Sequence, residues 1–308
     1  MSTTTAILLT AYNRPRLVAD AIASVLEQTA PFRLYILDDG CNVATREAIK
    51  QALIGVRYTT IEEGVLFAEG GVPLGRAVAW PQVVWWQGVD RIMEARRATI
   101  PYSYTANLAL NFLCQGEDYI IHLCDDDYLM PGAVAGLAAF MDAHPGYTIC
   151  YGRLRAVEFG VNGAFNQWRN SGLAHAGRHW VAPTGRREFD PVHGNGRTYY
   201  EGGATDPQTG LDYVEEGYWR PGPLDYGRPH RTDHNQVMYR SVLLQAGDWP
   251  YNQRYVEFWG EDNSHGVGDA AFFTLLSRFG PFRGADVWVA TKRYHVRSMG
   301  RGLDEVRE

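Results

Sequence analysis

The sequence predicts an α/β protein with a single Rossmann-like, mostly parallel sheet and helices on both faces. Short apolar strands alternate with stretches of helical periodicity from the N-terminus to Ile61. The clearest strand, Tyr119–Cys124, ends directly in three aspartates, Asp125, Asp126 and Asp127. Open α/β sheets bind ligands beyond the carboxyl ends of their strands, so this strand end is the first candidate for a site.

The N-terminal elements follow from the spacing of apolar residues. Residues 6–10 are predicted as the first strand, and Pro15 suits the first turn of the helix that follows, since it lacks the N–H group that is unpaired there. Apolar residues at helical spacing then continue that helix. A second strand at 34–37, a second helix at 44–53 and a third strand at 56–61 complete the alternation.

The second half of the chain contains further elements with the same periodicities. In chain order, the prediction is a helical stretch at 96–112, a strand at 119–124, a helix beginning at Pro131, a strand at 147–154, a strand at 235–239, a helix at 269–279 and a strand at 286–290. This order of elements continues the doubly wound pattern.

Two segments break this pattern and are predicted as insertions into a single domain that spans residues 1–308. The first covers about 62–95 and includes the aromatic run from Trp80 to Trp86, and the second covers about 158–230 and is rich in Gly, Pro, Tyr and Trp. We expect irregular loops or hairpins over one face of the sheet. Their aromatic rings suit sugar rings or bases, but they equally suit packing of the insertions or a homo-oligomer interface.

Composition excludes several classes of function. The net charge of −6 gives no general attraction to nucleic acid or to an anionic membrane. The four cysteines form no CxxC pair and no zinc-like spacing, which predicts reduced thiols in a cytoplasmic protein. The N-terminus lacks a basic segment followed by a long apolar one, and no apolar run approaches membrane-spanning length. Neither a signal peptide nor a transmembrane segment is therefore expected.

The three adjacent aspartates after the strand are the strongest chemical signal. Adjacent carboxylates repel one another, so a folded protein keeps them together only with water or a cation nearby. A hard divalent ion, Mg²⁺ or Mn²⁺, suits such oxygen ligands and can hold a phosphate as well. A solvated acidic turn would explain the same residues, and spacing alone leaves both interpretations open. An EF-hand fits poorly, because Leu129 and Met130 stand where a ligand and a glycine belong.

Four segments carry a resemblance to a known family. In chain order they read ILLTAYNRPRLVADAIASVLEQT, LYILDDG, YIIHLCDDDYLMPGAV and DHNQVMYR. Together they resemble the inverting family 2 glycosyltransferases of the GT-A fold and, among these, the spore-coat polysaccharide glycosyltransferase type. The resemblance covers residues 4–61 and 96–155 well and 230–298 in patches, and it leaves out both insertions. It implies a metal-dependent enzyme that moves a sugar from a UDP- or dTDP-type donor to an acceptor hydroxyl, with inversion.

The resemblance implies nucleotide-binding roles for individual residues. Thr10 and Asp39 would hold the base and the ribose, with Asp39 accepting a hydrogen bond from a pyrimidine N–H, and Asp125 would bond the ribose. Asp39 is also a natural turn residue before Gly40. The remaining predicted contacts to the nucleotide are Ala11, Tyr12, Arg14 and Arg96, and Arg97 competes with Arg96 because the alignment slips there.

The resemblance also implies the metal ligands. Asp126 would bind the Mn²⁺ or Mg²⁺ ion that bridges the donor diphosphate. Cys124 stands where the family has the first acid of its Asp-x-Asp motif, which makes Asp126 and Asp127 the expected metal contacts. His295 lies in a C-terminal segment similar to one in which some relatives place a metal-binding histidine. A lone histidine is more often a surface or core residue, so that alternative stays open.

A separate carboxylate must take the proton of the acceptor hydroxyl, and the resemblance places it at Asp233. One base and direct attack give inversion at the anomeric carbon. His234 is the direct competitor, because its ordinary pKa is nearer neutrality, but the next side chain along the predicted strand points the opposite way. Asp262 and Asp269 are further candidates, and Asp269 also suits a helix N-cap.

Two alternative functions stay open on the sequence alone. A nucleotidyltransferase has a similar nucleotide-binding sheet, but residues 10–14 are not the glycine-rich basic loop that it needs after the first strand. A non-catalytic carbohydrate-binding protein would bind sugar without turnover of the donor. The expected acceptor is a saccharide or another hydroxyl compound, and the arginines of the second insertion also allow an anionic acceptor, such as a polynucleotide with a hydroxylated base.

Overall fold

A computed structural model describes residues 3–62, 67–68, 72–73, 82–88, 105–106, 108–114, 116–158, 204–205, 212–213, 234–244 and 282–294. Its α-helices are α1 (Pro15–Leu26), α2 (Val43–Ala52) and α3 (Ala133–Ala143). Its strands are β1 (Thr5–Ala11), β2 (Phe32–Asp38), β3 (Tyr58–Glu62), β4 (Phe67–Ala68), β5 (Val72–Pro73), β6 (Val83–Gln87), β7 (Tyr119–Cys124), β8 (Tyr128–Leu129), β9 (Ile149–Glu158), β10 (Ala204–Thr205), β11 (Asp212–Tyr213), β12 (Val237–Arg240) and β13 (Phe282–Tyr294). The further helical elements are a π-helical turn (Ala109–Leu113) and two 3₁₀ turns (His234–Gln236 and Ser241–Leu244).

Within the described residues, nine strands form one sheet in the spatial order β3-β6-β2-β1-β7-β12-β9-β13-β8. Five neighbouring strands of this sheet are parallel, in the order β3, β6, β2, β1 and β7. β1 pairs in parallel with β2 and β7, and β6 pairs in parallel with β2 and β3. β12 runs antiparallel to β7 and β9, and β8 runs antiparallel to β13. The predicted mostly parallel sheet is confirmed, and the carboxyl ends of β1, β2 and β7 meet at one edge.

Both faces of the sheet are covered by helical segments, as the sequence predicts. Side chains alternate along β1, so Ile7 and Leu9 join one apolar core while Ala6 and Leu8 join the other. The first core contains the buried faces of α1, α2 and α3. The second core contains the π-helical turn, where Leu113 is fully buried. Strands buried on both faces need a nearly continuous apolar sequence, which explains the composition of β1 and β7.

The first predicted insertion contains a strand of the sheet. β6 lies between β3 and β2, and its Trp85 and Trp86 are each 1% exposed. These two tryptophans belong to the two apolar cores, so they offer no face to a sugar ring. The prediction was wrong at this strand because a run of apolar residues buried on both faces shows no period-2 alternation.

β12 begins later than predicted, and this removes one argument for Asp233 over His234 as the general base. The predicted strand starts at Asn235, whereas His234–Gln236 forms a 3₁₀ turn and the strand begins at Val237. Side chains in such a turn do not alternate between two faces. The strand geometry used to favour Asp233 over His234 was therefore wrong, and the choice between them depends on the family resemblance alone.

The other predicted elements differ from the structure mainly at their ends. β7 has the predicted bounds, and α2 begins and ends one residue earlier than predicted. β13 is longer than the predicted 286–290, and its register against β9 shifts on both sides of Trp288. The predicted helix at 269–279 lies outside the described residues.

The two predicted insertions lie largely outside the described residues as well. Besides β6, the structure describes in them two short antiparallel ladders, β4 with β5 and β10 with β11. Across the described parts of the chain, no helix combines the length and the apolar character needed to cross a membrane.

Candidate functional site

The candidate site lies at the carboxyl edge of the sheet, where the chain leaves β1, β2 and β7. Two backbone hydrogen bonds bring these strand ends together: Asp39 N donates to Ala11 O at 3.1 Å, and Asp125 N donates to Thr10 O at 3.0 Å. Residues that are far apart in the sequence, and that the resemblance assigns to one nucleotide, are therefore neighbours in the fold.

Asp125 ties the loop after β1 to the end of β7. Its side chain is 2% exposed, and both of its carboxylate oxygens are engaged. Oδ2 accepts a hydrogen bond from Tyr12 N at 2.7 Å, and Oδ1 accepts one from Arg14 Nη1 at 2.6 Å. The geometry therefore gives Asp125 a structural task, and its contact to a ribose stays a prediction.

Arg14 places a positive charge beside the aspartates that follow β7. Its Nη1 lies 2.6 Å from Asp125 Oδ1 and 3.4 Å from Asp126 Oδ2. Burial alone would lower the pKa of Arg14, but the charges of Asp126 and Asp125 outweigh burial and raise that pKa above its ordinary value. Burial also raises the pKa of Asp125, and the charge of Arg14 opposes this rise only in part. Arg14 thus stays protonated and offsets one negative charge of the cluster.

Cys124, Asp126 and Asp127 form a group with metal-ligand chemistry within the described part of the chain. One donor atom from each, the thiol sulfur and one carboxylate oxygen per aspartate, lies within 4.8 Å of the others. A hydrogen bond from Asp127 N to Cys124 O, 3.1 Å long, closes the turn that brings them together. We call residues 124–127 the acid turn. Carboxylate oxygens suit Mg²⁺ or Mn²⁺ better than a thiol does, so the two aspartates fit the predicted ion best.

Asn235, which the sequence did not single out, supports the acid turn from the 3₁₀ turn before β12. Its Oδ1 accepts a hydrogen bond from Cys124 N, and its Nδ2 donates one to Asp127 Oδ2, both at 2.8 Å. The residue is 1% exposed. The sequence signal that could have found it is its position in the DHNQVMYR segment, two residues after Asp233.

The turn that carries Asp39 is held by a second ion pair, between the buried Asp38 carboxylate and the partly exposed Arg46 side chain. The Asp38 carboxylate is fully buried and accepts hydrogen bonds from Cys41 N at 2.6 Å and from Arg46 Nε at 2.8 Å. Arg46 Nη2 donates to Gly88 O at 3.0 Å, and Gly88 N donates to Asp38 O at 2.8 Å. Asp39 itself is 4% exposed. The sequence did not predict this network, because its members come from β2, α2 and the residue after β6.

The loop after β1 is also fixed against the loop after β2. Asn13 adopts the left-handed backbone conformation, with φ 51°, and its Oδ1 accepts a hydrogen bond from Asn42 N at 2.7 Å. Asn42 in turn caps α2 by accepting from Thr45 N at 2.9 Å. Of the predicted nucleotide contacts here, Thr10 is half-buried, whereas Ala11 is buried and holds Asp39 through its carbonyl.

Several predicted site residues lie outside the described residues. These are Arg96 and its competitor Arg97, the predicted base Asp233, its rivals Asp262 and Asp269, and the predicted ligand His295. For His234 the structure describes the backbone, in the 3₁₀ turn before β12. The structure brings together the other predicted site residues. These are Thr10, Ala11, Tyr12, Arg14, Asp39, Asp125, Asp126 and Asp127.

Comparisons with known proteins found distant relatives. No protein-family model matches the chain. The chain is similar to protein CgeD of Bacillus subtilis (strain 168), with 23% identity over 278 residues, which are 90% of this chain and 46% of CgeD. Among solved structures it is similar to S. aureus TarS 1–349 in complex with UDP-GlcNAc, with 12% identity, a TM-score of 0.49, and coverage of 95% of this chain and 59% of that one.

The same TarS fragment in complex with UDP is also similar, with 12% identity and a TM-score of 0.48. That comparison covers 96% of this chain and 61% of the TarS fragment. The chain thus spans about half the length of CgeD and about three fifths of these TarS fragments.

Proposed function

We propose that this protein is an inverting glycosyltransferase that moves a sugar from a UDP- or dTDP-type donor to the hydroxyl of a saccharide or another acceptor. The observation that carries the proposal is the meeting of the acid turn, Arg14 and Asp39 at one edge of a mostly parallel sheet. A cation held by the acid turn would meet a diphosphate there, and Asp39 would meet a pyrimidine base. The family resemblance of the same segments supports this assignment.

The aspartates of the acid turn have different proposed roles. Asp125 is neutralised by Arg14 and holds the loop, so its charge is already compensated. Asp126 and Asp127 would hold the Mn²⁺ or Mg²⁺ ion, with His295 as the further ligand that the resemblance implies. Once bound, such an ion stabilises the negative charge that gathers on the departing diphosphate.

The nucleotide side of the site is rigid. Asp39 follows a strand end that Asp38, Arg46 and Gly88 hold in place, and its backbone bonds Ala11. Because the backbone of Asp39 is held before binding, its carboxylate can accept a hydrogen bond from the N3–H of uracil or thymine at a lower entropic cost than on a mobile loop. Cytosine lacks that donor, so we expect the protein to prefer uridine and thymidine diphosphates over cytidine diphosphate.

The base in the proposed reaction is Asp233. It would accept the proton of the acceptor hydroxyl as that oxygen attacks the anomeric carbon from the side opposite the diphosphate. Support comes from the resemblance and from Asn235, two residues along the chain, which bonds both Cys124 and Asp127 of the acid turn.

Asp126→Ala is expected to fold normally and to lose the metal-dependent part of its affinity for UDP or dTDP. Removing one of three adjacent carboxylates relieves repulsion, so the fold should not suffer. We expect affinity in the presence of Mn²⁺ to fall by roughly tenfold or more, which corresponds to at least ~1.4 kcal/mol. Calorimetric titration with and without Mn²⁺ measures this directly.

The matched control for this experiment is Glu47→Ala. It removes one negative charge from a surface side chain that pairs with Lys50, away from the acid turn. Unchanged Mn²⁺-dependent affinity in Asp126→Ala, or an equal loss in both variants, would contradict the assignment of Asp126 to the metal.

A further inference from the structure

The structure assigns to Asn235 the role of a positioning residue that shapes the acid turn for its cation. This inference rests on the proposed function, and it concerns how the ligands of that site are held. The evidence is the pair of 2.8 Å hydrogen bonds from one buried amide to the two ends of the acid turn, at Cys124 N and Asp127 Oδ2.

The two hydrogen bonds span the acid turn. Cys124 N is the last backbone donor of β7, and Asp127 Oδ2 belongs to the last carboxylate of the turn. The turn is closed internally by Asp127 N donating to Cys124 O. Asn235 therefore adds a second closure, outside the turn, that fixes where the Asp127 carboxylate points relative to the strand end.

The chemistry of an amide suits this task. Asn235 donates a hydrogen bond to Asp127 and leaves the negative charge of that carboxylate in place, whereas Arg14 offsets the charge of Asp125. A carboxylate has about four lone-pair sites on its two oxygens, so a carboxylate can accept a hydrogen bond from an amide and also ligate a cation. The turn thus carries one acid, Asp125, that pairs with Arg14 and holds the loop, and one acid, Asp127, that Asn235 orients.

The support for Asn235 is itself rigid. Its 3₁₀ turn leads directly into β12, which pairs antiparallel with β7 on one side and with β9 on the other. Asn235 is 1% exposed, so its side chain is held by packing as well as by hydrogen bonds. Partners that orient metal ligands in this way typically change metal affinity by roughly 10–100-fold when they are removed.

A purely structural role for Asn235 predicts a different outcome. The loss of any buried amide destabilises the fold, but it would leave Mn²⁺ affinity unchanged in the molecules that stay folded. Gln236→Ala provides the matched comparison. Gln236 is the neighbouring buried amide, is 0% exposed, and donates from Nε2 to Gly152 O at 3.1 Å, on β9 and away from the acid turn.

The test is a calorimetric titration of the full chain with Mn²⁺ alone, followed by UDP in the presence of Mn²⁺. We compare wild type, Asn235→Ala and Gln236→Ala, with the melting temperature of each recorded in the absence of metal. We expect Asn235→Ala to weaken Mn²⁺ binding by roughly 10–100-fold. Gln236→Ala should lower the melting temperature by a similar amount and keep Mn²⁺ affinity within about twofold of wild type.

Should Asn235→Ala fail to fold, Asn235→Ser carries the same expectation. Its side chain is one atom shorter, so it removes the hydrogen bond to Asp127 and keeps a polar group at this buried position. Wild-type Mn²⁺ affinity in a folded Asn235 variant would overturn the positioning role and leave the proposed function standing. If wild type itself binds neither Mn²⁺ nor UDP, the proposed function fails, and this inference fails with it.

Discussion

Arg14→Ala is expected to lower the free energy of unfolding by about 3–5 kcal/mol at neutral pH. It leaves the Asp125 carboxylate, 2% exposed, buried without its cation. The same substitution removes one of the two hydrogen bonds by which Asp125 holds the loop after β1, and Tyr12 N still donates to that carboxylate. Chemical denaturation in metal-free buffer measures the loss.

Two variants show whether the buried charge is the cause. Lys50→Ala breaks an exposed ion pair, in which the side chain of Lys50 is 49% exposed and that of Glu47 is 53% exposed. This substitution should lower the free energy of unfolding by less than about 1 kcal/mol. Asp125→Asn added to Arg14→Ala removes the unpaired charge and should recover a large part of the loss. If Arg14→Ala costs no more than Lys50→Ala, the ion pair does not hold the site together.

The loss caused by Arg14→Ala should also depend on pH. Burial raises the pKa of Asp125, and removing Arg14 raises it further. For an acid whose folded pKa is raised, proton uptake contributes stability that is present at low pH and is lost as pH rises through the folded pKa. The difference in unfolding free energy between wild type and Arg14→Ala should therefore be smaller in acidic buffer than at neutral pH.

Asp233→Asn is expected to lower the rate of sugar transfer by roughly two to four orders of magnitude, which is the usual contribution of a general base. The substitution keeps the size of the side chain and removes its basicity, so the affinity for nucleoside diphosphate should persist. The rate of transfer to an acceptor and the affinity for UDP or dTDP, measured on the same preparation, separate these two effects.

The competing bases are tested by the same assay. His234→Gln is the first comparison, because the 3₁₀ turn removes the strand geometry that favoured Asp233. Asp262→Asn and Asp269→Asn follow. If Asp233→Asn transfers sugar at a near-normal rate while one of these variants does not, the base has been placed on the wrong residue.

The strands of the sheet could be predicted from the sequence where an apolar run is followed by residues that end a strand or begin a helix. β7 has its predicted bounds because an apolar run ends abruptly in three acids. α1 begins at Pro15, which lies in the first turn of the helix as predicted. β6 was missed for two reasons. The segments beside it show no helical periodicity, and its own residues are buried on both faces of the sheet, so they show no alternation of apolar and polar residues.

The candidate site could be predicted in outline, but its internal contacts could not. Asp39 and the acid turn follow strands, and parallel strands place their carboxyl ends together, so their proximity follows from the topology. The pairing of Asp125 with Arg14 joins residues 111 positions apart, and Asn235 is also 111 positions from Cys124. No local pattern encodes such contacts, because they depend on which loops the folded sheet brings together.

The most direct test of the proposed function is the release of nucleoside diphosphate from UDP- and dTDP-sugars, with Mn²⁺ present and with Mn²⁺ removed by a chelator. The arrangement of the acid turn, Arg14 and Asp39 predicts steady release that requires the metal and is lost in Asp126→Ala. A nucleotidyltransferase would instead release pyrophosphate from a nucleoside triphosphate and a sugar phosphate. Binding of the donor with no release of nucleoside diphosphate under any metal condition would contradict the proposed transfer reaction and indicate a carbohydrate-binding protein.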